Sequence, residues 1–144
     1  MFTLDTNILV SAQRSTAPHH AESRRLLDKL AGDLTPFALF WPCLYGFFRI
    51  VTHHRIFSPP TPPGEAFEDI QALLSLPNAH VLCETERHAE ILGRILRESG
   101  AAGNLVPDAH IVALALEHGV DEILTFDGDF ARFPQVRSRH PFRK

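Results

Sequence analysis

The stretch NLVPDAHIVALALEHGVDEILTFDGDF, Asn104 to Phe130, decides the fold. Its first part reads as a helix from about Asp108 to His118, its next as a β-like segment from Glu122 to Thr125, and FDGDF as a turn. A helix that leads straight into an apolar strand ending in an acidic turn is the repeating unit of an α/β protein.

Working outward, the alternation continues. Phe2 to Leu4 predicts a short strand, followed by a helix beginning at Ile8 that Thr6 or Asn7 caps. A second helix fits His19 to Leu30, where Ala21, Leu26, Leu27 and Leu30 keep helical spacing. Leu39 to Trp41 reads as a strand leading into an amphipathic helix, WPCLYGFFRIVTH, with Gly46 near its middle. SPPTPPGE, Ser58 to Glu65, holds four prolines and reads as a surface loop that interrupts regular structure. Helices fit Glu65 to Ser75 and Glu84 to Glu98, with His80 to Leu82 as a buried strand between them. The tail RSRHPFRK is basic and reads as solvent-facing, with a short strand just before it. This order gives an α/β sandwich in one domain spanning residues 1–144 and excludes a helical bundle.

With 144 residues, 44% hydrophobic and 22% charged, the chain can bury a core without staples. A net charge of −3 offers no global attraction for nucleic acid, so a polyanion must be met by local cations. Cys43 and Cys83 sit in apolar contexts at a spacing that suits neither a zinc site nor a disulfide framework, and both read as reduced core residues. No basic n-region precedes an apolar run, and nowhere do 18 apolar residues follow one another. The expected compartment is the cytoplasm, with no membrane association.

The chemistry lies in where aspartates fall. Asp5 directly follows an apolar strand, Asp108 opens a helix after GAAGNLVP, and Asp127 and Asp129 follow ILTF. Open α/β sheets bind ligands beyond the carboxyl ends of their strands. Four carboxylates gathered there repel one another by several kcal/mol per close pair at an effective dielectric of about 20, unless a divalent cation neutralises them. Oxygen-only ligands favour Mg²⁺ or Mn²⁺ over Zn²⁺. Taken singly, each acid has a structural explanation: Asp5 and Asp108 as helix caps, and the DGD of Asp127 to Asp129 as turn chemistry. The convergence of three segments is what points to a site.

These residues carry a family resemblance. LDTNILVSA, NLVPDAHIVALALEHG and LTFDGDFARFP resemble the signature blocks of PIN-domain ribonucleases, in particular VapC-type toxins of bacterial toxin–antitoxin pairs, and FFRIVTHHRIF resembles their central helix and turn. The resemblance implies a three-layer α/β/α sandwich around a parallel sheet, Mg²⁺-dependent endonucleolytic cleavage of RNA, a small cognate antitoxin and a homodimer. It assigns Asp5, Asp108 and Asp129 as metal ligands, with Asp127 beside them as a fourth catalytic acid.

Gly46 is a departure, since many PIN domains place a glutamate there and no other acid lies between Trp41 and Phe57. Asp127 is the expected replacement for that charge, and Gly46→Glu is expected to alter metal affinity rather than the fold. Arg49, one helical turn on, is a candidate for substrate phosphate or for bracing an aspartate, against pairing with an ordinary surface acid. Thr6 and Asn7 are candidates for orienting water or substrate. Two other classes share part of this pattern. A haloacid-dehalogenase-type phosphatase needs an aspartate where Asn7 stands. A PIN-like module that binds RNA or antitoxin without cutting is the stronger alternative, because Gly46 removes an expected ligand.

Overall fold

The computed structural model describes Met1–Lys144. Five strands, β1 (Phe2–Leu4), β2 (Phe37–Phe40), β3 (Ala79–Leu82), β4 (Glu122–Leu124) and β5 (Arg137–Arg139), form one sheet in the order β3-β2-β1-β4-β5, and every pairing is parallel. Parallel strands need crossover connections, which here are helices packed on the sheet. They are α1 (Thr6–Gln13), α2 (His20–Gly32), α3 (Trp41–Val51), α4 (Pro63–Leu74), α5 (His88–Ser99) and α6 (Val106–Glu117).

Side-chain alternation along the strands splits the core in two. Phe37 and Leu39 of β2 face one side with Leu4, Ile8, Leu44 and Phe47, whereas Ala38 and Phe40 face the other with Ile91, Ile95 and the apolar run Ile111–Ala115 of α6. The sheet is thus the middle layer of a three-layer α/β/α sandwich. No helix is long and apolar enough to cross a membrane.

Several boundaries differ from the sequence expectation for identifiable reasons. The first helix starts at Thr6 and its N-cap is Asp5, not Thr6 or Asn7. Trp41 belongs to α3 rather than to β2, with Pro42 in its first turn, where a missing N–H costs nothing. The same property lets Pro63 open α4 inside the proline-rich segment, so that segment is not all loop. Nor is it all surface: Thr61 is buried, its N–H donates to the Val51 carbonyl at 2.8 Å, and Arg14 holds its hydroxyl.

β3 is an edge strand, and His80 and Val81 are exposed rather than buried. Cys83, just beyond it, is exposed too, whereas Cys43 is buried as expected. α5 begins at His88, leaving Glu84–Arg87 as a turn. The basic tail contains β5 itself; Arg137 and Arg139 are exposed as expected, and from the surface they pair with Glu122 at 3.2 and 2.5 Å.

Candidate active site

β1 and β4 run side by side, with Leu4 level with Leu124, so the residues after them are neighbours. Asp5 donates its N–H to the Leu124 carbonyl at 3.0 Å, which fixes the chain where it leaves the sheet. Its carboxylate is 7% exposed and fully engaged: Oδ1 accepts the Thr6 N–H at 2.7 Å, and Oδ2 accepts the Thr125 hydroxyl at 2.7 Å and the Asn7 amide at 3.1 Å. The cap that starts α1 thus also locks the carboxylate in one orientation.

Thr125 links this acid to the next segment. While donating to Asp5, its oxygen accepts the Asp127 N–H at 2.9 Å, and Asp127 in turn accepts the Asp129 N–H at 2.8 Å, capping the short 3₁₀ turn Gly128–Arg132. Asp108 reaches the same place from the first turn of α6. The N-cap position of that helix is Leu105, so Asp108 is not a cap. The carboxylates of Asp108, Asp127 and Asp129 bring one ligand oxygen each within 4.8 Å of one another.

The electrostatic consequence is large. Burial first, then the charges of Asp127, Asp5 and Asp129, push the Asp108 carboxyl up to about 7, and no hydrogen bond offsets them. Burial also raises Asp5, with the Asp127 charge adding to it, although the bonds from Thr125 and Thr6 pull the other way. Half-buried acids that oppose each other's ionisation form the donor set that a hard divalent cation satisfies, and all the donors are oxygen.

Beside these acids opens a cleft of about 840 Å³. Asp5, Asp108 and Asp127 line it, as do the sequence-predicted Thr6, Asn7, Gly46 and Arg49. Arg49 is exposed and forms no ion pair, so it neither braces an aspartate nor pairs with a surface acid. Thr6 and Asn7 are committed inside the protein: the Thr6 hydroxyl donates to the Cys43 carbonyl at 3.0 Å, and the Asn7 oxygen accepts the Phe126 N–H at 3.2 Å.

Gly46 does face the cleft, but for a reason missing from the sequence expectation. A Cβ there would stand 2.7 Å from the Thr6 hydroxyl oxygen and 3.1 Å from its methyl. The glycine allows the start of α1 to lie directly against α3. A glutamate cannot enter without displacing Thr6, so Gly46→Glu disturbs this packing as well as any metal affinity.

Sequence reasoning missed Thr125, which looked like the last residue of a strand, and the opposite wall of the cleft. There His19, Phe126, His140 and Phe142 form an aromatic cluster, with His19 and Phe126 centroids 4.9 Å apart and His19 and His140 5.0 Å apart. His19, whose ring lies in this cluster, has a left-handed backbone, φ 60°. Arg143 from the tail lines the same wall. Nothing in the local sequence joins residue 19 to residue 140, because the contact depends on β5 pairing with β4.

A parallel sheet that gathers four aspartates from three segments, three of them lining one cleft, defines an α/β domain with an acidic site, and the PIN-domain model matches residues 2–136: the chain belongs to the PIN-domain family. Within that family it is similar to VapC ribonucleases. It is 41% identical over 141 residues to ribonuclease VapC43 of Mycobacterium tuberculosis, covering 98% of this chain and 95% of the relative. Ribonuclease VapC48 of the same organism is 34% identical over 140 residues, covering 97% of each. Among solved structures, the sarcin–ricin-loop-cleaving toxin VapC20 of M. tuberculosis superposes with a TM-score of 0.68 at 19% identity, over 95% of this chain and 99% of that one. VapBC2 of Rickettsia felis, bound to a promoter DNA fragment, gives 0.67 at 20% identity, over 96% of each chain. At such identities the structural likeness shows the fold, which is the one described above.

Proposed function

We propose that this chain is the toxin of a toxin–antitoxin pair and acts as a Mg²⁺-dependent endoribonuclease in the cytoplasm, held inactive by a small cognate antitoxin. The observation that carries the reading is the convergence of Asp5, Asp108, Asp127 and Asp129 with Asp108 raised to about 7. A chain with no use for a cation gains nothing from keeping mutually repulsive carboxylates together. The names of its relatives supply the substrate class, RNA, and their solved complexes the kind of partner. Mn²⁺ fits the same oxygen donors.

Asp5, Asp108 and Asp129 would hold the ion, with Asp127 providing the fourth charge from the β4 side in place of a side chain at Gly46. When bound, the divalent ion neutralises charge on the phosphate and lowers the pKa of water. The protein's own part is placement. Thr125, Asn7 and the Thr6 N–H hold Asp5 in one orientation. Asp127 ties Asp129 to the 3₁₀ turn. Arg49 and Arg143, on the cleft wall, supply the local positive charge that the net −3 denies, and they meet substrate phosphates. Thr6 and Asn7 flank the same phosphate path. The aromatic wall of His19 and Phe126 offers faces on which unstacked RNA bases can rest.

The proposal is tested in cells by expressing the chain with and without the neighbouring small open reading frame. Growth arrest and RNA cleavage are expected only without it, and neither is expected for Asp5→Ala. Arrest by Asp5→Ala would overturn the site assignment, and arrest that the neighbouring product does not relieve would overturn the pairing. Size-exclusion chromatography with light scattering on the purified chain tests the homodimer.

A further inference from the structure

A second cluster of ligating side chains shares no residue with the aspartates, although His110 follows Asp108 by two positions on α6; it forms where the turn after β3 and the start of α5 pack on that helix. Glu84, His88 and His110 bring one ligand atom each within 4.8 Å of one another. The His88 and His110 rings meet edge-on with centroids 5.2 Å apart. Each ring already faces a carboxylate: His110 Nε2 lies 2.7 Å from Glu84 Oε1, and His88 Nδ1 lies 2.7 Å from Glu117 Oε2.

The Glu117 contact is what separates this cluster from two surface ion pairs. The side chain of Glu117 is shielded from solvent, and its other oxygen accepts both the N–H and the hydroxyl of Thr85 at 2.8 Å. An ionised carboxylate only accepts, so His88 carries its proton on Nδ1 and keeps the lone pair of Nε2 free for a ligand bond. A buried carboxylate that fixes the tautomer and aim of an imidazole is the supporting arrangement of histidine metal ligands. Two imidazoles and one carboxylate from different elements make a three-ligand set suited to zinc, with a position left for water.

We infer that Glu84, His88 and His110 form a Zn²⁺ site that clamps the β3–α5 turn to α6, with Glu117 as the positioning residue for His88. The ion takes the place of the proton now shared between His110 Nε2 and Glu84. That proton moves through solvent to Nδ1 of the same ring, so the imidazole stays neutral, and Glu84 and Glu117 together balance the charge of the ion. Zinc–ligand bonds of about 2.0–2.2 Å require Glu84 to back away slightly from its present contact, which an exposed side chain on a turn can do. The clustered ligand atoms of Asp108, Asp127 and Asp129 are all carboxylate oxygens, so the two sites select different metals by donor type.

The test is a Zn²⁺ titration of the full chain against a chromophoric chelator in millimolar Mg²⁺, which occupies the aspartates. One Zn²⁺ per chain is expected. His88→Ala and His110→Ala should each weaken binding at least about ten-fold, Glu117→Gln about ten-fold, and Asp127→Asn less than two-fold. The inference is overturned if no Zn²⁺ binds, if the histidine variants bind as wild type does, or if only Asp127→Asn loses the ion. Should the histidine variants not fold, Co²⁺ added to the wild-type chain decides: intense visible absorption from four- or five-coordinate cobalt supports the site, and the weak spectrum of octahedral cobalt overturns it.

Discussion

At the scale of the residue, Asp108 has the most measurable consequence. Its carboxyl lies near 7 when folded against an ordinary 3.8, so between those values the folded chain holds a proton that the unfolded chain has lost. The stabilisation tied to that proton is fully present below pH 3.8 and disappears as pH rises through about 7. Without metal, thermal melts should therefore show Asp108→Asn becoming increasingly more stable than wild type from pH 5.5 to pH 8, and saturating Mg²⁺ should remove that advantage. A difference between the two that does not change with pH would show that Asp108 does not titrate in this range. Gly46 gives a second expectation. Alanine improves helix propensity by about 0.5–1 kcal/mol, but a Cβ 2.7 Å from Thr6 Oγ1 overpacks the α1–α3 contact at a cost of about 1–3 kcal/mol. Denaturant unfolding should find Gly46→Ala destabilised, and Thr6→Ala should relieve part of that loss in the double variant. Strict additivity of the two substitutions would refute the contact as the reason for the glycine.

At the scale of the element, Phe40 shows how strand and helix layers depend on each other. It is fully buried, ends β2, and packs with Ile95, Val112 and Leu114 on the α5–α6 side. Phe40→Ala should cost about 3–5 kcal/mol in denaturant unfolding; a loss below about 1 kcal/mol would mean that this layer contributes little. Elements whose own residues are apolar were legible in the sequence: β1 and β4 as short apolar runs, α6 as the helix between Asp108 and the strand. So were Asp5, Asp108, Asp127 and Asp129, because each follows a strand or opens a helix. What was not legible depends on neighbours distant in sequence. Burial of β3 was expected from its composition, but a strand paired on one side only leaves His80 and Val81 in water. The start of α4 was hidden because proline reads as a breaker until its place in the first turn is known. Thr125 and the His19–His140 contact arise only once β4 lies between β1 and β5.

At the scale of the whole molecule, the parallel sheet concentrates negative charge at one cleft of a chain whose total is only −3, and sets unpaired Arg49 and Arg143 on the walls around it. The fold is stabilised elsewhere, through two apolar cores flanking the sheet, and so tolerates the repulsion among the aspartates. The imidazole cluster of α5 and α6 and the oxygen donors share no residue, so under the proposed zinc site one chain discriminates between two kinds of cation by donor type. The central claim is that the four aspartates make a cation-dependent site for cutting RNA, and its most direct test is the cleavage rate of a structured RNA by the purified chain as Mg²⁺ is titrated from zero. The account predicts no cleavage in chelator, saturable activation by Mg²⁺, and a loss of at least about a thousand-fold, roughly 4 kcal/mol of transition-state stabilisation, in Asp108→Asn and in Asp127→Asn. Cleavage that persists in chelator, or that survives both substitutions undiminished, would contradict it.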